Sequence, residues 1–444
     1  MNVVCIGAGY VGSVTAAAFA EWGHHTTVVD IDPRKIELMN AGQSPIYEPG
    51  LETLIARHAG TRLFASTAYD GIRDADVVFI AVGTPSTPSG GADTTYVAAA
   101  ARRIGEHLNG ERFTVIVNKS TVPVGTADLV ASLVEEASGL QEGTHFAVAS
   151  NPEFLREGFA VLDVLGPDRI VVGTGHDRTR SVLRQLYERL LSAAPATVYF
   201  ETDVRTAELI KYASNAFLAM KISYVNEMAR LCEAVGANAL ELAHGMGLDS
   251  RIGGKFLQVS SGWSGSCFPK DTQELALLGR HYDCELSLVE AAIASNERMH
   301  RYCIDKLRRR LKTLNGKRVG ILGLTFKPDT DDARVTQAAA MIRALLEFGS
   351  QVRVHDPQGM EMFRRYYPEL SVRYCGKAEE TAHGADALLL LTHWEEYRSL
   401  DWPGMHAAMR QPYILDTRNF LHPPALQALG FRLEGLGVER SAFG

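Results

Sequence analysis

The chain has 444 residues, 46% of them hydrophobic, a formal net charge of −7 and six cysteines. That length fits two or three domains with sizeable cores, and the acidic balance leaves no basic face for nucleic acid. No apolar run approaches a membrane span, and scattered cysteines without a C-x-x-C pair point away from a disulfide framework or zinc site and toward a reducing cytoplasm.

The first stretch, Val3 to Ile6, reads as a buried strand and not as a signal peptide, because it lacks a basic n-region and a cleavage site. It runs into Gly7-Ala8-Gly9-Tyr10-Val11-Gly12, an alanine-rich helix from Ser13 to about Glu21, and a second strand from Thr26 to Asp30. Strand, G-x-G-x-x-G, helix, strand and acid together form a dinucleotide-binding arrangement. Gly7 permits the tight turn, Gly9 lets a pyrophosphate approach the backbone, and Gly12 lets helix and strand pack closely. The helix N-terminus offers N–H groups to the phosphates. Asp30 is expected to accept hydrogen bonds from ribose hydroxyls, which favours NAD over NADP, although Arg34 and Lys35 follow closely.

Three further strands are expected, at Ala75 to Val82, Phe113 to Asn118 and Ala147 to Ser150. Each ends in a polar loop on the side where ligands bind in such sheets: Gly83-Thr84-Pro85, Lys119 to Thr126, and Asn151 to Gly158.

Asp203 to about Val235 has helical periodicity with no proline or glycine, and Gly236 ends it. Lys211 and Asn215 share one face. Lys211 lies among Leu209, Ile210 and Tyr212, so it is either partly desolvated or an ordinary solvated lysine. Apolar faces on so long a helix suggest a subunit interface. Arg251 follows in a turn. The stretch Ser264 to Asp271 then places Cys267 ahead of Pro269, Lys270 and Asp271. Most lone cysteines are small buried hydrophobes, but a thiol beside a cation is also a plausible activated nucleophile. A second long helix spans about Leu286 to Lys312. From Lys317 a new α/β unit begins: strand Arg318 to Leu322, helix Val335 to Phe348, strand Val352 to Asp356, then strands Ala385 to Thr392 and Pro412 to Asp416. It echoes the first unit without its three glycines. The fold expected is therefore α/β, with two Rossmann-like doubly wound parallel-sheet domains joined by a long central helix. The expected boundaries are 1–200 for cofactor binding, 201–312 for a central helical domain carrying Cys267, and 313–444 for a second nucleotide-type fold with a different ligand.

These stretches resemble the UDP-glucose/GDP-mannose dehydrogenase family, nucleotide-sugar dehydrogenases that oxidise a sugar alcohol to the acid. The resemblance rests on GAGYVG at Gly7, SPIYEPGL at Ser44, VGTPS at Val82, KSTVPVGT at Lys119, NPEFLREG at Asn151, AELIKYASNAFLAMKIS at Ala207, SGSCFPKD at Ser264 and GLTFKPDTDDAR at Gly323. It implies that Cys267 is the nucleophile, that Lys211, Asn215 and Asp271 orient and stabilise a developing alkoxide or the water, that Glu153 is the general base for hydrolysis, and that Thr121 helps place the water. It implies NAD contacts at Tyr10, Val11, Lys35, Thr84, Thr121, Glu157, Lys270 and Arg334, beside the glycines and Asp30. The sugar nucleotide would meet Glu153, Phe154, Leu155, Arg156 and Glu157, then Lys211 and Asn215, then Phe256, Leu257, Lys327 and Arg418. Arg251 would reach the substrate of a neighbouring subunit, which requires at least a homodimer. No metal is implied. The family usually has glycine where this chain has Ser260 and Ser264.

UDP-glucose is the substrate favoured by CFPKD, IYEPGL and the Asp416-Thr417-Arg418-Asn419 ending, with GDP-mannose and UDP-N-acetylmannosamine as alternatives. A two-electron β-hydroxyacid dehydrogenase would need neither Cys267 nor the domain from Lys317. A non-catalytic NAD sensor would not need the Cys267, Lys211 and Glu153 set.

Overall fold

The computed structural model describes residues 1–438. The chain divides into two compact units, Met1–Ser214 and Asn215–Gly444.

In the first unit eight strands form one sheet: β1 (Asn2–Ile6), β2 (His25–Val29), β3 (Leu63–Ser66), β4 (Val77–Ile80), β5 (Thr114–Asn118), β6 (Phe146–Ser150), β7 (Arg169–Gly173) and β8 (Val198–Thr202). Their order is β3-β2-β1-β4-β5-β6-β7-β8. Neighbours run parallel except β6 and β7, which meet antiparallel through Ser150 and Gly173. Every residue of β4, β5 and β6 is buried, as their unbroken apolar runs require of strands covered on both faces. Alternate side chains feed two separate cores: Val3, Val77, Phe79, Val115 and Val117 on one face, Val4, Val78, Ile80 and Ile116 on the other. The strand order reverses between β1 and β4, which opens a crevice beyond their carboxyl ends.

The helix Tyr10–Glu21 is buried continuously from Gly12 to Ala20. Its small side chains let it lie close on the sheet. The helix Val204–Val235 has 32 residues, about 48 Å at 1.5 Å per residue.

In the second unit the helices Ala239–Gly247, Phe268–His281 and Ser287–Leu311 precede a six-stranded parallel sheet. Its strands are β9 (Arg318–Leu322), β10 (Gln351–His355), β11 (Arg373–Tyr374), β12 (Ala387–Leu390), β13 (Tyr413–Asp416) and β14 (Arg432–Glu434), ordered β11-β10-β9-β12-β13-β14. This sheet repeats the opening of the first at atomic detail. Gly7 N–H donates to Val29 O at 2.7 Å and Ala8 N–H to Asp30 Oδ2 at 2.6 Å; Gly323 N–H donates to His355 O at 2.9 Å and Leu324 N–H to Asp356 Oδ2 at 2.7 Å. The repeat then diverges. Helix follows the first turn at once, at Tyr10, whereas in the second unit it waits until Gln337. Asp356 is also filled by its own protein, accepting from Thr325, Gln358, Gly359 and Trp394.

Several expected elements are trimmed, among them the strand expected from Ala385 to Thr392, which is Ala387–Leu390. The helix expected from Val335 is Gln337–Glu347, because Val335 takes a positive φ of 46° and Thr336 caps the helix by accepting from Ala339 N–H. The strand expected from Ala75 to Val82 is Val77–Ile80, because a 3-10 turn at Asp70–Asp74 delivers the chain to Ala75. Strands β3, β7, β8, β11 and β14 were not foreseen.

Candidate active site

The site begins at the glycine turn. Gly7 has φ +108°, and a Cβ on Gly12 would stand 1.8 Å from Gly7 O, so a side chain at either position would strain the turn. Gly9 differs: a Cβ there would meet nothing within 4 Å. None of the described residues uses the room at Gly9, and it lies at the N-cap of Tyr10–Glu21, where no side chain caps the helix. A cradle of backbone N–H groups with open space above it fits a dinucleotide pyrophosphate. Asp30 is anchored by the N–H groups of Ala8 and Asp32, with Lys35 Nζ 3.8 Å away. Its oxygens keep spare lone pairs for ribose hydroxyls. Tyr10 donates its hydroxyl to Tyr47 O, and Val11 is half-buried.

The loops after β4, β5 and β6 are tied together. Thr84 Oγ1 donates to Thr121 O at 2.9 Å, and Ser120 Oγ to Val82 O at 2.7 Å. After β6, Glu153 is buried with Leu155 N–H donating to Oε2 at 2.6 Å and Lys211 Nζ to Oε1 at 2.7 Å. Burial pushes the Glu153 carboxyl up, but Lys211, the Leu155 N–H and Lys119 outweigh it and hold the group below its usual range. Lys211 also lies 5.4 Å from the centre of the Phe154 ring, and the Arg169 guanidinium lies 3.9 Å from the same ring. Lys211 is thus desolvated and paired, which settles the choice its neighbours left open. Glu157 is half-buried. Arg156 lies at the surface in a two-pronged pair with Asp163.

In the second unit Cys267 is the N-cap residue of Phe268–His281 and its thiol is exposed. Pro269 sits in the first turn, where its missing N–H costs nothing. Asp271 N–H donates to Cys267 O at 2.8 Å. The Asp271 carboxylate, 1% exposed, takes Lys270 Nζ on one oxygen and Asn215 Nδ2 on the other, the latter at 2.6 Å. Ser264 donates its hydroxyl to Gln337, and Gly265 N–H donates to Val335 O at 2.9 Å. Ser260 Oγ accepts from Gly262 N–H within its own turn. Phe256 has φ +66° and its ring centre lies 6.2 Å from that of Phe268, while Leu257 is buried. Arg251 is exposed and paired with Asp249.

Around the second sheet, Arg418 donates to Leu391 O at 2.6 Å and Phe326 O at 3.3 Å, and burial pulls its pKa down to about 10. Gln337 Nε2 reaches the same two carbonyls. His393 is held neutral, its pKa lowered to about 4 by burial and by the charges of Arg418, Arg398 and Lys327. These cations form a positive region. Arg334 is forked onto Asp332, with Nε to Oδ1 at 2.8 Å.

Several residues escaped the sequence reading. Glu48, in the SPIYEPGL stretch, accepts from Gly158 N–H at 2.6 Å and Ala160 N–H at 2.7 Å, and so anchors the end of the Glu153 loop. Glu208, one turn before Lys211, accepts from Gly125 and Ala127 N–H, and burial raises its pKa to about 7. Lys119 donates to Asn151 Oδ1 at 3.0 Å. The only sequence signal for these was their place inside the quoted motifs.

Three family models match in sequence order: the UDP-glucose/GDP-mannose dehydrogenase family NAD-binding domain over residues 1–191, its central domain over 205–298, and its UDP-binding domain over 320–423. A UDP-glucose 6-dehydrogenase of Rhizobium meliloti is 45% identical across 98% of this chain and 99% of its own. A solved UDP-glucose dehydrogenase from Pyrobaculum islandicum is 40% identical with a TM-score of 0.88, covering 94% of both chains. A solved UDP-D-ManNAc dehydrogenase from Pyrococcus horikoshii is 27% identical with a TM-score of 0.86, covering 98% of this chain and 99% of its own.

Proposed function

The chain belongs to the UDP-glucose/GDP-mannose dehydrogenase family, and on that premise we propose that it oxidises UDP-glucose to UDP-glucuronate with NAD, using Cys267 as the covalent carrier. NAD, when bound, accepts a hydride in each of two oxidations. Gly7, Gly9 and Gly12 would seat its pyrophosphate and Asp30 its ribose. Thr84, Thr121, Glu157, Lys270 and Arg334 would complete its contacts.

The remaining chemistry falls to the chain. Lys211 and Asn215, one helical turn apart, would hold the sugar C6 oxygen while its proton passes to water and the carbon gives up its hydride. The aldehyde is trigonal and gives up no second hydride until a nucleophile adds. The Cys267 thiolate Sγ would bond to that carbon as the C=O π bond breaks, its electron pair going to the oxygen, which takes a proton from water to give the thiohemiacetal. Loss of the second hydride leaves a thioester. Glu153 draws a proton from water, the water oxygen bonds to the acyl carbon, the C–S bond breaks, and the sulfur leaves as thiolate. Asp271 holds Asn215 and Lys270 in place. The cationic Lys327 and Arg418 region, with Phe256 and Leu257, would take the nucleotide side.

The observation that carries this reading is the position of the thiol. Cys5 and Cys303 are buried and their pKa values pushed up to about 12, Cys232 and Cys375 are also buried, and of the two exposed thiols only Cys267 stands at a helix N-terminus, where the thiolate is favoured. UDP-glucose is preferred over UDP-N-acetylmannosamine because identity is 45% and 40% to the UDP-glucose enzymes against 27% to the other. A panel of sugar nucleotides with NAD, reading NADH per sugar, tests it. Two NADH from UDP-glucose supports the reading; one NADH, or turnover only of GDP-mannose or UDP-N-acetylmannosamine, sinks it.

A homodimer forms through the long helix in this reading. Phe217, Tyr224, Leu231 and Val235 are exposed at 61%, 49%, 52% and 67%, spaced as one apolar seam. Arg251, exposed, would then reach a partner's substrate. Light scattering of Leu231→Glu beside the unaltered protein tests this: loss of a dimer supports it, and a monomer in the unaltered protein sinks it. The free thiols suit a cytoplasmic location, and no helix among the described residues is long and apolar enough to cross a membrane.

A further inference from the structure

Lys119 follows the last residue of β5 and is 8% exposed. Its ammonium donates to Asn151 Oδ1 at 3.0 Å, and no carboxylate oxygen among the described residues lies within ion-pair distance of it. A buried cation held only by a neutral amide is costly, and such costs concentrate where charge has work to do. The amide itself is fixed. Asn151 Nδ2 donates to Val171 O at 2.7 Å, and Oδ1 also accepts from the Tyr187 hydroxyl at 2.5 Å. Asn151 stands two residues before Glu153, with Pro152 between, so the Lys119 bond pins the start of the turn that carries the base.

Lys119, Lys211 and Glu153 make two cations and one anion in a buried site. Lys211 now touches Glu153 directly. When Lys211 turns to a substrate oxygen that contact weakens, while the burial that favours a protonated Glu153 remains. Only the Leu155 N–H and the Lys119 charge are left to oppose it. We propose that Lys119 is a positioning residue for the hydrolytic step, holding Asn151 and keeping Glu153 negatively charged while Lys211 serves the substrate. The groups that face Lys119 are Glu153, Lys211 on the long helix, Cys5 on β1 and Tyr187 through Asn151. The last two are neutral: burial pushes Cys5 up to about 12 and Tyr187 well above its ordinary value.

This inference rests on the thioester course proposed above. The test is rapid acid quench of UDP-glucose and NAD with the full protein across a pH series, reading NADH and the acyl adduct on Cys267 by intact mass. In Lys119→Met the acidic limb of adduct hydrolysis is expected to rise by about one pH unit and the adduct to accumulate. The first hydride transfer should keep its pH dependence, and Lys119→Arg should restore most of the limb. NAD affinity reports that each variant is folded, and Lys119→Gln stands in if methionine does not fold. An unmoved limb, or an equal fall in both half-reactions that arginine does not repair, overturns the role of Lys119. Absence of any adduct in Glu153→Gln, where hydrolysis should stall, overturns the thioester course and this inference with it.

Discussion

Lys211 Nζ lies 2.7 Å from Glu153 Oε1, with both side chains buried, at 5% and 7% exposure. In the function proposed above, Glu153 is charged but occupied, and it would become available to water when the lysine finds a substrate oxygen, coupling substrate arrival to readiness for hydrolysis.

Lys211→Met leaves the Glu153 carboxylate buried without its ion-pair partner, which costs about 3–5 kcal/mol of stability. In the proposed course it would also remove a donor to the developing alkoxide, worth about 3–4 kcal/mol of barrier. Adding Glu153→Gln removes the stranded charge, so the double variant should recover stability in urea titration without recovering turnover. The pH dependence has a fixed sign. Because the folded-state pKa of Glu153 is depressed, its stabilisation is present above the ordinary carboxylate value and is lost as pH falls through the folded value. Stability of the unaltered protein should therefore decline on acidification more steeply than that of the double variant.

Gly9 and Gly12 should separate binding from folding. Gly9→Ala finds open space and an ordinary φ of −88°, so thermal stability is unchanged while NAD affinity falls at least about tenfold. Gly12→Ala drives a methyl against Gly7 O and costs about 1–3 kcal/mol of stability. Calorimetry of NAD binding beside thermal unfolding distinguishes the two, and equal effects at both positions would contradict the pyrophosphate cradle.

Much of this was legible because it is local. The glycine turn, Asp30, and the spacing of Lys211 and Asn215 are written within a few residues, and backbone geometry converts spacing directly into position. The partners were not legible. Glu153 finds Lys211 across 58 positions, Asn215 finds Asp271 across 56, and Ser264 finds Gln337 across 73. No periodicity encodes such distances. The strand β8 also escaped, because none of its five residues is fully buried and its apolar stretch is short.

Ser264 links the two halves of the second unit. Its hydroxyl ties the Cys267 turn to Gln337, which shares the Leu391 and Phe326 carbonyls with Arg418. Ser264→Ala and Gln337→Leu should each lower kcat several-fold at unchanged NAD affinity. Because both cut one link, the double variant should lose little more than either, a coupling of about 1 kcal/mol. Additive losses would mean that the two side chains act separately.

Lys119 should show a trade of stability against function. Burial lowers its pKa from 10.5 to about 8. Between those values the unfolded chain binds the extra proton, so stability from this group rises with pH. Below pH 8 the folded protein carries a charge cost on the order of 3 kcal/mol, part of which Lys119→Met should relieve. The stability advantage of that variant should shrink as pH rises from 8 to 10.5 in denaturant titrations, and a constant difference would contradict the burial of a charged lysine.

The carrier role of Cys267 is tested most directly by counting NADH and UDP-glucuronate formed from UDP-glucose by Cys267→Ala. The unaltered protein should give two NADH and one acid per sugar. The alanine variant should stop at the aldehyde, with at most one NADH and no acid; full acid formation without the sulfur would contradict the covalent course.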